Sequence, residues 1–440
     1  MNIMSITGSI AATVFAASLA HAQNVPEKKM HRFDLGTGSA QSGWSKVTPD
    51  TAYTEARGYG ILEGIPKASA AGVAGKGDCL SSDRPFTFAV ALPEGNYDVV
   101  LTLGEPGAAS TTIIQVESRR LISEGIRTQP GESVILPFTV NVRVPSLKSG
   151  GQIGLKGDEK EKRNWDGKLT LTFSGSHPAV SAIEIRPAPD AVTVYLAGDS
   201  TVTDQEHEPW SAWGQILPAF FRPGVAIANH AQSGESLSSF TGERRWEKIL
   251  DTLRAGDYVF IQFAHNDQKP GPAHADPFTT YTERLKGYLD DVRKRKATPV
   301  LVTPMHRRRF DETRHLVDTL GDYPEAMHRL ARVEKVALID LNGTSRLLFE
   351  AMGAEGSKRA FVHYPAGSFA GQKEALKDDT HFSNYGAYEL ARCMVEGIRA
   401  NLPPLADQLR ANVPVFDPLK PDSVSPLAPL TVTHKEFNSD

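Results

Sequence analysis

Two segments far apart in the chain carry residue types that could act together as a nucleophile and its base. Ser200 follows Gly198 and Asp199 at the end of an apolar run with the character of a buried strand. Asp378 stands three residues before His381, just ahead of a stretch with helical periodicity. An aspartate bound to one nitrogen of a histidine ring leaves the other nitrogen free to deprotonate a serine. The residues therefore predict Ser200 as nucleophile, His381 as base and Asp378 as the group that orients the ring.

Each of the two segments also has a simpler interpretation. Gly-Asp-Ser is common at strand ends, where Asp199 or Ser200 can cap the helix that follows. Asp378 and Asp379 could likewise be acidic residues at a helix N-terminus, with His381 on the surface. Asp379 is also a rival for the orienting role, although the three-residue offset favours Asp378.

Donors for a developing oxyanion occur in two segments between the serine and the histidine. Gly234 follows the second predicted strand of the second half of the chain, and Asn266 follows the third. Each such donor contributes about 2.7–4 kcal/mol to acyl transfer. The backbone N–H groups of Ser200 and Gly234 and the side-chain amide of Asn266 would supply three. A turn glycine and a turn asparagine are the simpler alternatives, but four segments at successive loop positions argue against coincidence.

The second half of the chain has the pattern that brings such segments together. Compact strands are predicted at 192–197, 225–229, 258–263, 300–303 and 337–340, and helices at 213–221, 244–254, 281–295, 323–333 and 385–399. Alternating strands and helices are typical of a parallel sheet covered on both faces. Loops at the carboxyl ends of such strands hold the ligand, so we expect the candidate residues at that edge of the sheet.

The first half of the chain has a different period. Short runs rich in β-branched and aromatic residues occur at 86–92, 97–103, 111–116, 134–140 and 169–173, separated by turn residues. This pattern predicts an all-β sandwich. We expect four parts: a signal peptide at 1–22, a β-sandwich accessory domain at 23–187, an α/β domain at 188–402 that follows a stiff linker near 186–190, and a proline-rich extended tail at 403–440.

Composition excludes several classes of protein. The 440 residues carry 48 Lys and Arg against 52 Asp and Glu, a formal net charge of −4, so nucleic acid is not an expected partner. Cys79 and Cys393 are too few for a disulfide framework or a multi-cysteine zinc site, and we expect them to be buried separately. Neither a GxxxxGKS/T loop nor a strand-linked GxGxxG is present, which argues against a phosphate-dependent enzyme.

The first residues of the chain have the pattern of an export signal. Small and apolar residues fill positions 10–19, and Ala20-His21-Ala22 offers the small-x-small pattern that a signal peptidase cleaves. A short amphipathic or core helix is the alternative. The run is too short to cross a bilayer, which needs about 20 apolar residues. We therefore expect a mature chain that begins at Gln23, is periplasmic or secreted, and has no membrane partner.

Together the candidate segments resemble the four signature blocks of the SGNH, or GDSL, hydrolases. The matching residues are Gly198-Asp199-Ser200, Gly234, Asn266-Asp267 and Asp378-x-x-His381. Within that superfamily, residues 209–215, 264–267 and 379–383 are similar to the rhamnogalacturonan acetylesterases, carbohydrate esterase family 12. In the first half, residues 33–36, 57–60 and 93–97 look like the β-sandwich domain that precedes the catalytic domain in bacterial members.

The resemblance implies an α/β fold, an SGNH-type α/β/α sandwich with a parallel sheet, preceded by a galactose-binding-like β-sandwich. It implies catalysis by Ser200, Asp378 and His381 without a metal or another cofactor. The implied substrate is an acetylated plant cell-wall polysaccharide, with rhamnogalacturonan, and hence pectin degradation, as the first candidate. Esterases for acetylated xylan, another glycan or a lipid are alternatives, and so is a non-catalytic protein that binds carbohydrate through the sandwich.

Two residues depart from the family pattern, and three other features have open interpretations. Ala264 replaces the usual glycine before His-Asn-Asp, and Glu235 stands where many relatives have arginine, which changes how an anionic galacturonate chain would be held. The arginines at 307–309 could bind a uronate carboxylate or form a solvated turn. Trp210 and Trp213 could stack on a sugar or belong to the core. His265 is expected to shape its loop rather than to bind metal.

Overall fold

The computed structural model describes residues 30–40, 42–69 and 78–423 of the chain. The predicted signal peptide at 1–22 lies outside the described residues, and so does the last part of the predicted tail, 424–440. Within the described ranges, no helix is both long enough and apolar enough to cross a membrane.

Twelve strands of the first half form two facing sheets. They are β1 (His31–Leu35), β2 (Ser45–Val47), β3 (Tyr59–Glu63), β4 (Lys67–Ser69), β5 (Cys79–Ser81), β6 (Phe86–Ala91), β7 (Gly95–Leu103), β8 (Ser110–Val116), β9 (Arg120–Thr128), β10 (Val134–Val142), β11 (Lys168–Ser174) and β12 (Ala179–Pro187). One sheet has the order β10-β7-β12-β1-β2, with β5 paired to β12 and β4 paired to β5, and the other has the order β3-β6-β11-β8-β9. The predicted β-sandwich is therefore present.

Side-chain alternation explains why these segments form half-buried strands. Along β7, Tyr97, Val99, Leu101 and Leu103 are buried, whereas the residues between them are half-exposed. A period of two places every second side chain on the core face of a sheet. The buried side chains of the two sheets form one continuous apolar cluster.

Several predictions for the first half need correction. All five predicted strands are found with small shifts at their ends, but β1 to β5, β9 and β12 were not predicted. Most of the missed strands are short, and β9 carries charged residues within its run. The predicted linker begins too early, because Arg186 and Pro187 pair with β7 as the last residues of β12. Proline is tolerated at the end of a strand, where its missing N–H disrupts the ladder least.

The second half contains a five-stranded parallel sheet covered by helices. The strands are β13 (Val192–Gly198), β14 (Val225–Asn229), β15 (Tyr258–Gln262), β16 (Thr298–Val302) and β17 (Ala337–Ile339), in the order β14-β13-β15-β16-β17. The helices are α1 (Trp213–Ile216), α2 (Leu237–Gly242), α3 (Arg245–Thr252), α4 (Thr282–Lys294), α5 (Tyr323–Glu334), α6 (Leu341–Gly356), α7 (Asn384–Asn401) and α8 (Pro403–Ala406). The predicted α/β/α sandwich is therefore confirmed.

Both faces of the parallel sheet are apolar. Val194 and Leu196 of β13 pack with α1 and α7 on one face, whereas Tyr195 and Ala197 pack with α2 to α5 on the other. A fully buried parallel strand reads as a continuous apolar run, which is why all five strands were predicted. Helices α2, α6 and α8 were missed. The predicted helix at 213–221 is a short α-helix followed by a 3₁₀ turn at Leu217–Phe220.

Strand order determines where a site can form. The chain passes from β13 to β14 on one side and then crosses to β15 on the other, so the direction of winding changes at β13. A crevice opens at the carboxyl end of the strand where the order reverses. Gly198 ends β13, so Ser200 lies at this point of the sheet.

The two cysteines, Cys79 in β5 and Cys393 in α7, are both buried and are not bonded to each other, as predicted.

The beginning of the predicted tail packs against α7. The Arg392 guanidinium of α7 lies 4.0 Å from the centre of the Phe416 ring in the tail, and Tyr385 of α7 donates a 2.6 Å hydrogen bond to the carbonyl of Asp422. Residues 407–423 therefore lie over part of the surface of the α/β half.

Strand β9 begins with a buried arginine that reaches into the α/β half. Arg120 Nε donates a 2.7 Å hydrogen bond to Asp204 Oδ2, and its Nη2 lies 3.2 Å from Asn164 Oδ1. The Asp204 carboxylate also accepts a 2.8 Å bond from Asn229, the last residue of β14. Arg120 and Asp204 are each 1% exposed. The two halves are thus joined through charged groups that water does not reach.

Removal of the Arg120 side chain tests this junction. Arg120→Ala should lower the free energy of unfolding by about 3–5 kcal/mol, because it removes the cation that is hydrogen-bonded to the buried Asp204 carboxylate and leaves the more distant Arg143, at 3.9 Å. Arg32→Ala is the matched control, since the Arg32–Glu184 pair is solvent-exposed and such pairs contribute about 0.2–1 kcal/mol. Urea unfolding followed by tryptophan fluorescence measures both, and equal losses for the two variants would contradict a buried junction.

Candidate active site

The turn after β13 places Ser200 at the carboxyl edge of the parallel sheet. The Asp199 carboxylate accepts hydrogen bonds from the backbone N–H and the hydroxyl of Thr201, at 2.9 and 2.7 Å, and so closes a tight turn around the serine. A Cβ on Gly198 would stand only 2.9 Å from the carbonyl oxygen of Gln262. Glycine is needed here because neighbouring backbone approaches so closely.

His381 bridges the serine and an aspartate. Its Nε2 lies 2.8 Å from Ser200 Oγ, and its Nδ1 lies 2.8 Å from Asp378 Oδ2. A carboxylate on Nδ1 fixes the tautomer in which Nδ1 carries the proton, so Nε2 is free to accept the serine hydrogen. The three side chains singled out in the sequence therefore form one hydrogen-bonded chain.

Hydrogen bonds keep the Asp378 carboxyl ionised. Burial by itself would raise its pKa, but the bond from the His381 ring and the backbone N–H groups of His381 and Thr380 lower the pKa to about 2. The backbone bonds to Asp378 Oδ1 are 2.8 and 3.0 Å long. A carboxylate that is charged at neutral pH can stabilise an imidazolium beside it.

Asp378 and His381 lie on a strand, not at a helix entrance as the sequence suggested. Two further strands, β18 (Phe361–Tyr364) and β19 (Leu376–Phe382), form an antiparallel hairpin, and both residues belong to β19. The cap of α7 is instead Ser383, whose hydroxyl accepts a hydrogen bond from the N–H of Gly386. The interpretation of the aspartates as helix-capping residues is therefore wrong.

Asp379 is occupied by other partners. Its Oδ1 accepts a 2.8 Å hydrogen bond from Arg308 and lies 2.7 Å from His363 Nε2. The neighbouring Asp378 makes the contact with the His381 ring. The two adjacent aspartates thus point to different partners, as alternate side chains of a strand do.

The predicted oxyanion donors lie in loops that follow three adjacent strands. Ser200 follows β13, Gly234 follows β14 and Asn266 follows β15. Gly234 has a φ of +78°, a conformation that favours glycine. Asn266 Nδ2 donates a 2.8 Å bond to the carbonyl of Glu235, which uses one of its two amide hydrogens. The second amide hydrogen is the candidate donor.

The loop after β15 is strained and buried. Ala264 has a φ of +140°, in a region that alanine rarely adopts, so the usual glycine of the family would fit this backbone better. Asp267 is fully buried and accepts a 2.9 Å bond from the N–H of Leu237, which joins this loop to the start of α2. Burial raises the pKa of Asp267 to about 7. His265 is also buried, and burial lowers its pKa well below the usual value.

Other residues noted in the sequence have structural partners. Arg307 contacts the carbonyls of Thr319 and His265, both at 3.3 Å, and Arg308 binds Asp379, so two of the three arginines at 307–309 do not form a solvated turn. Trp213 is buried in the core and donates to Gln262. Its interpretation as a core residue is therefore confirmed.

Sequence reasoning missed the residues that approach the site from the β-sandwich. Arg119 donates to the carbonyl of Gln205 at 3.2 Å, and Gln205 Nε2 in turn donates to the carbonyl of Ser200 at 2.9 Å. Lys156 contacts the loop that contains Gly234. Charged residues in turns are usually exposed, so no local pattern pointed to their contacts with the other half.

The serine is hydrogen-bonded to the histidine, and the histidine is hydrogen-bonded to an ionised aspartate. This arrangement, at the edge of an α/β sheet, defines a serine-hydrolase type of site. Comparison with family models agrees: residues 196–387 match the GDSL-like lipase/acylhydrolase family, and residues 31–121 match the galactose-binding domain-like part of β-agarase/YXIM esterase-like proteins. The chain belongs to the GDSL-like lipase/acylhydrolase family and is a carboxylic ester hydrolase.

Three relatives from Bacillus subtilis are similar to this chain. The rhamnogalacturonan acetylesterase RhgT is 43% identical over 220 residues, which cover 50% of this chain and 94% of RhgT. The probable rhamnogalacturonan acetylesterase YesY is 34% identical, over 49% of this chain and 96% of YesY. The uncharacterized esterase YxiM is 27% identical over 388 residues, which cover 85% of this chain and 91% of YxiM. The match to YxiM thus extends over both halves.

The contacts of the two aspartates predict unequal effects on ester hydrolysis. Asp378→Asn should lower kcat for 4-nitrophenyl acetate by about 10⁴-fold, because an amide can hold the ring in the wrong tautomer. Asp379→Asn is the matched control and should have a far smaller effect, since Asp379 contacts Arg308 and His363 instead. Steady-state kinetics of both variants distinguish them, and the reverse ranking would overturn the assignment of Asp378.

Proposed function

We propose that this chain is an exported acetylesterase that removes O-acetyl groups from a plant cell-wall polysaccharide, with acetylated rhamnogalacturonan as its substrate. The observation that carries the chemistry is the position of His381 between Ser200 and Asp378, with 2.8 Å contacts on both sides. The 43% identity to RhgT over nearly all of that relative supports the substrate class. The sequence of residues 1–22 supports export to the periplasm or the medium.

The first half-reaction transfers the acetyl group to the enzyme. Ser200 Oγ attacks the acetyl carbonyl carbon while His381 Nε2 takes the hydroxyl proton, and Asp378 stabilises the resulting imidazolium. The bond to the sugar oxygen then breaks, and His381 returns the proton to that oxygen. The products of this step are a free sugar hydroxyl and an acetylated Ser200.

The second half-reaction releases acetate by the same proton transfers. A water molecule gives its proton to His381 Nε2 and adds to the carbonyl carbon of the acetylated serine. The bond to Ser200 Oγ breaks, and His381 reprotonates that oxygen. No cofactor is needed, because one group serves first as base and then as acid.

Negative charge on the carbonyl oxygen develops in both half-reactions. The N–H groups of Ser200 and Gly234 and the free amide hydrogen of Asn266 are the proposed donors. Donors held in place before the reaction stabilise this charge more than water does, because they need not reorient. The loops that carry them are joined by hydrogen bonds, such as the one from Asn266 to the carbonyl of Glu235.

The buried position of Glu235 is compatible with an anionic polysaccharide. Its side chain is fully buried, and its Oε1 is 2.5 Å from Lys156 Nζ, so its charge is largely balanced within the protein. A galacturonate carboxylate would therefore meet little repulsion from this residue. The absence of an arginine at this position leaves a neutral acetylated xylan as the second candidate substrate.

Acetate release from acetylated polysaccharides tests the proposal. Wild-type protein should release acetate faster from acetylated rhamnogalacturonan than from acetylated xylan. Ser200→Ala should reduce release from either by about 10⁴-fold or more, since the nucleophile is lost. Ser238→Ala, in α2, is the matched control and should behave as wild type. Faster release from xylan would transfer the proposal to that substrate, and binding of polysaccharide without any release would support a non-catalytic protein.

A further inference from the structure

A lysine from the β-sandwich half contacts the backbone that carries a proposed oxyanion donor. Lys156 lies in the segment between β10 and β11, and its Nζ donates a 2.7 Å hydrogen bond to the carbonyl oxygen of Ser233. A Cβ on the next residue, Gly234, would stand 3.5 Å from the same ammonium group. Lys156 therefore lies directly beside the Ser233–Gly234 peptide.

The geometry of that peptide links Lys156 to the Gly234 N–H. A trans peptide is planar, so the carbonyl of Ser233 and the N–H of Gly234 point in opposite directions. Because the carbonyl is held by Lys156, the N–H of Gly234 is directed away from the lysine. A charge-assisted bond to a carbonyl also polarises its peptide and strengthens the N–H as a donor.

Lys156 also contacts the residue that holds the second proposed donor. Its Nζ is 2.5 Å from Glu235 Oε1, and the backbone carbonyl of Glu235 accepts the bond from Asn266. The Glu235 side chain is fully buried, and its Oε2 accepts a 2.5 Å bond from Ser239. The Lys156 ammonium group thus contacts the residues on either side of Gly234, namely Ser233 and Glu235. Glu235 in turn accepts the hydrogen bond from Asn266.

A buried ion pair fixes the segment that carries Lys156. The backbone N–H of Lys156 donates a 3.0 Å bond to Glu159 Oε2, and the same carboxylate binds Arg245 of α3, with 3.0 Å between Nη1 and Oε1. Arg245 is fully buried and Glu159 is 2% exposed. The backbone of Lys156 is therefore held in place through Glu159, which is itself bound to the α/β half by Arg245.

We propose that Lys156 is a positioning residue for the oxyanion hole, supplied to the active site by the β-sandwich half. It holds the Ser233–Gly234 peptide in the orientation that points the Gly234 N–H at the developing oxyanion, and it holds Glu235 in the orientation that supports Asn266. This role rests on the proposed function of Ser200, Gly234 and Asn266. The β-sandwich half is then part of the catalytic apparatus.

Kinetics of Lys156 variants with 4-nitrophenyl acetate test the proposal. Lys156→Met should lower kcat roughly 10- to 100-fold with KM nearly unchanged, because a misplaced donor affects the transition state and not the bound ester. Lys156→Arg should restore most of kcat, since a guanidinium can also donate to the Ser233 carbonyl. Lys160→Met is the matched control and should behave as wild type, because Lys160 is an exposed lysine in the 3₁₀ helix Gly157–Glu161 that directly follows Lys156.

Phenylboronic acid provides a readout that a purely structural role would not change. Its adduct with a serine oxygen is a tetrahedral anion, so its affinity should fall in Lys156→Met by about the same factor as kcat. The double variant Lys156→Met/Glu235→Gln leaves no unpaired buried carboxylate at this place, which protects the fold, and it should remain impaired in kcat.

Wild-type kcat and boronate affinity in Lys156→Met would overturn the proposal, and so would an equal loss of kcat in Lys160→Met. Those outcomes differ from failure of the proposed function, which would appear as full activity of Ser200→Ala. A Ser200-dependent enzyme that is indifferent to Lys156 would reject the role of Lys156 alone.

Discussion

Two consecutive hydrogen bonds, one donated by the Ser200 hydroxyl to His381 Nε2 and one donated by His381 Nδ1 to Asp378, are the interactions on which the arrangement depends. The serine and the histidine are 181 residues apart, and a 2.8 Å contact between them requires both elements to be fixed independently. The parallel sheet fixes the serine at the end of β13, where the strand order reverses. The β18–β19 hairpin fixes the histidine, and the ionised Asp378 on the same strand fixes its tautomer.

The β-sandwich is more than an appended module, because three of its charged residues make hydrogen bonds to the α/β half. Arg120 pairs with Asp204, four residues after Ser200, and Arg119 binds the carbonyl of Gln205. Lys156 binds the loop after β14. The buried Arg120–Asp204 ion pair tolerates little misalignment, because a charge left unpaired in the protein interior is costly. The loops at the carboxyl edge of the parallel sheet are therefore held both by the α/β half and by side chains of the β-sandwich half.

Much of the fold and of the candidate site could be predicted from the sequence because the signals are local. Buried parallel strands read as apolar runs, and the residues that follow them fall at one edge of the sheet. The β18–β19 hairpin was missed because the residues of β19 around His381 are mostly polar and half-exposed. The roles of Arg120 and Lys156 were missed because their contacts form only when the two halves pack together, which no periodicity in either half encodes.

Covalent labelling with a fluorophosphonate tests the central claim most directly, since it reports on the serine without turnover of an ester. The phosphonyl group should appear on the peptide that contains Ser200, with loss of fluoride, as measured by mass spectrometry. Labelling should be lost in His381→Ala, because the base that activates the hydroxyl is absent. Labelling of a different residue, or labelling of His381→Ala at the wild-type rate, would contradict this account.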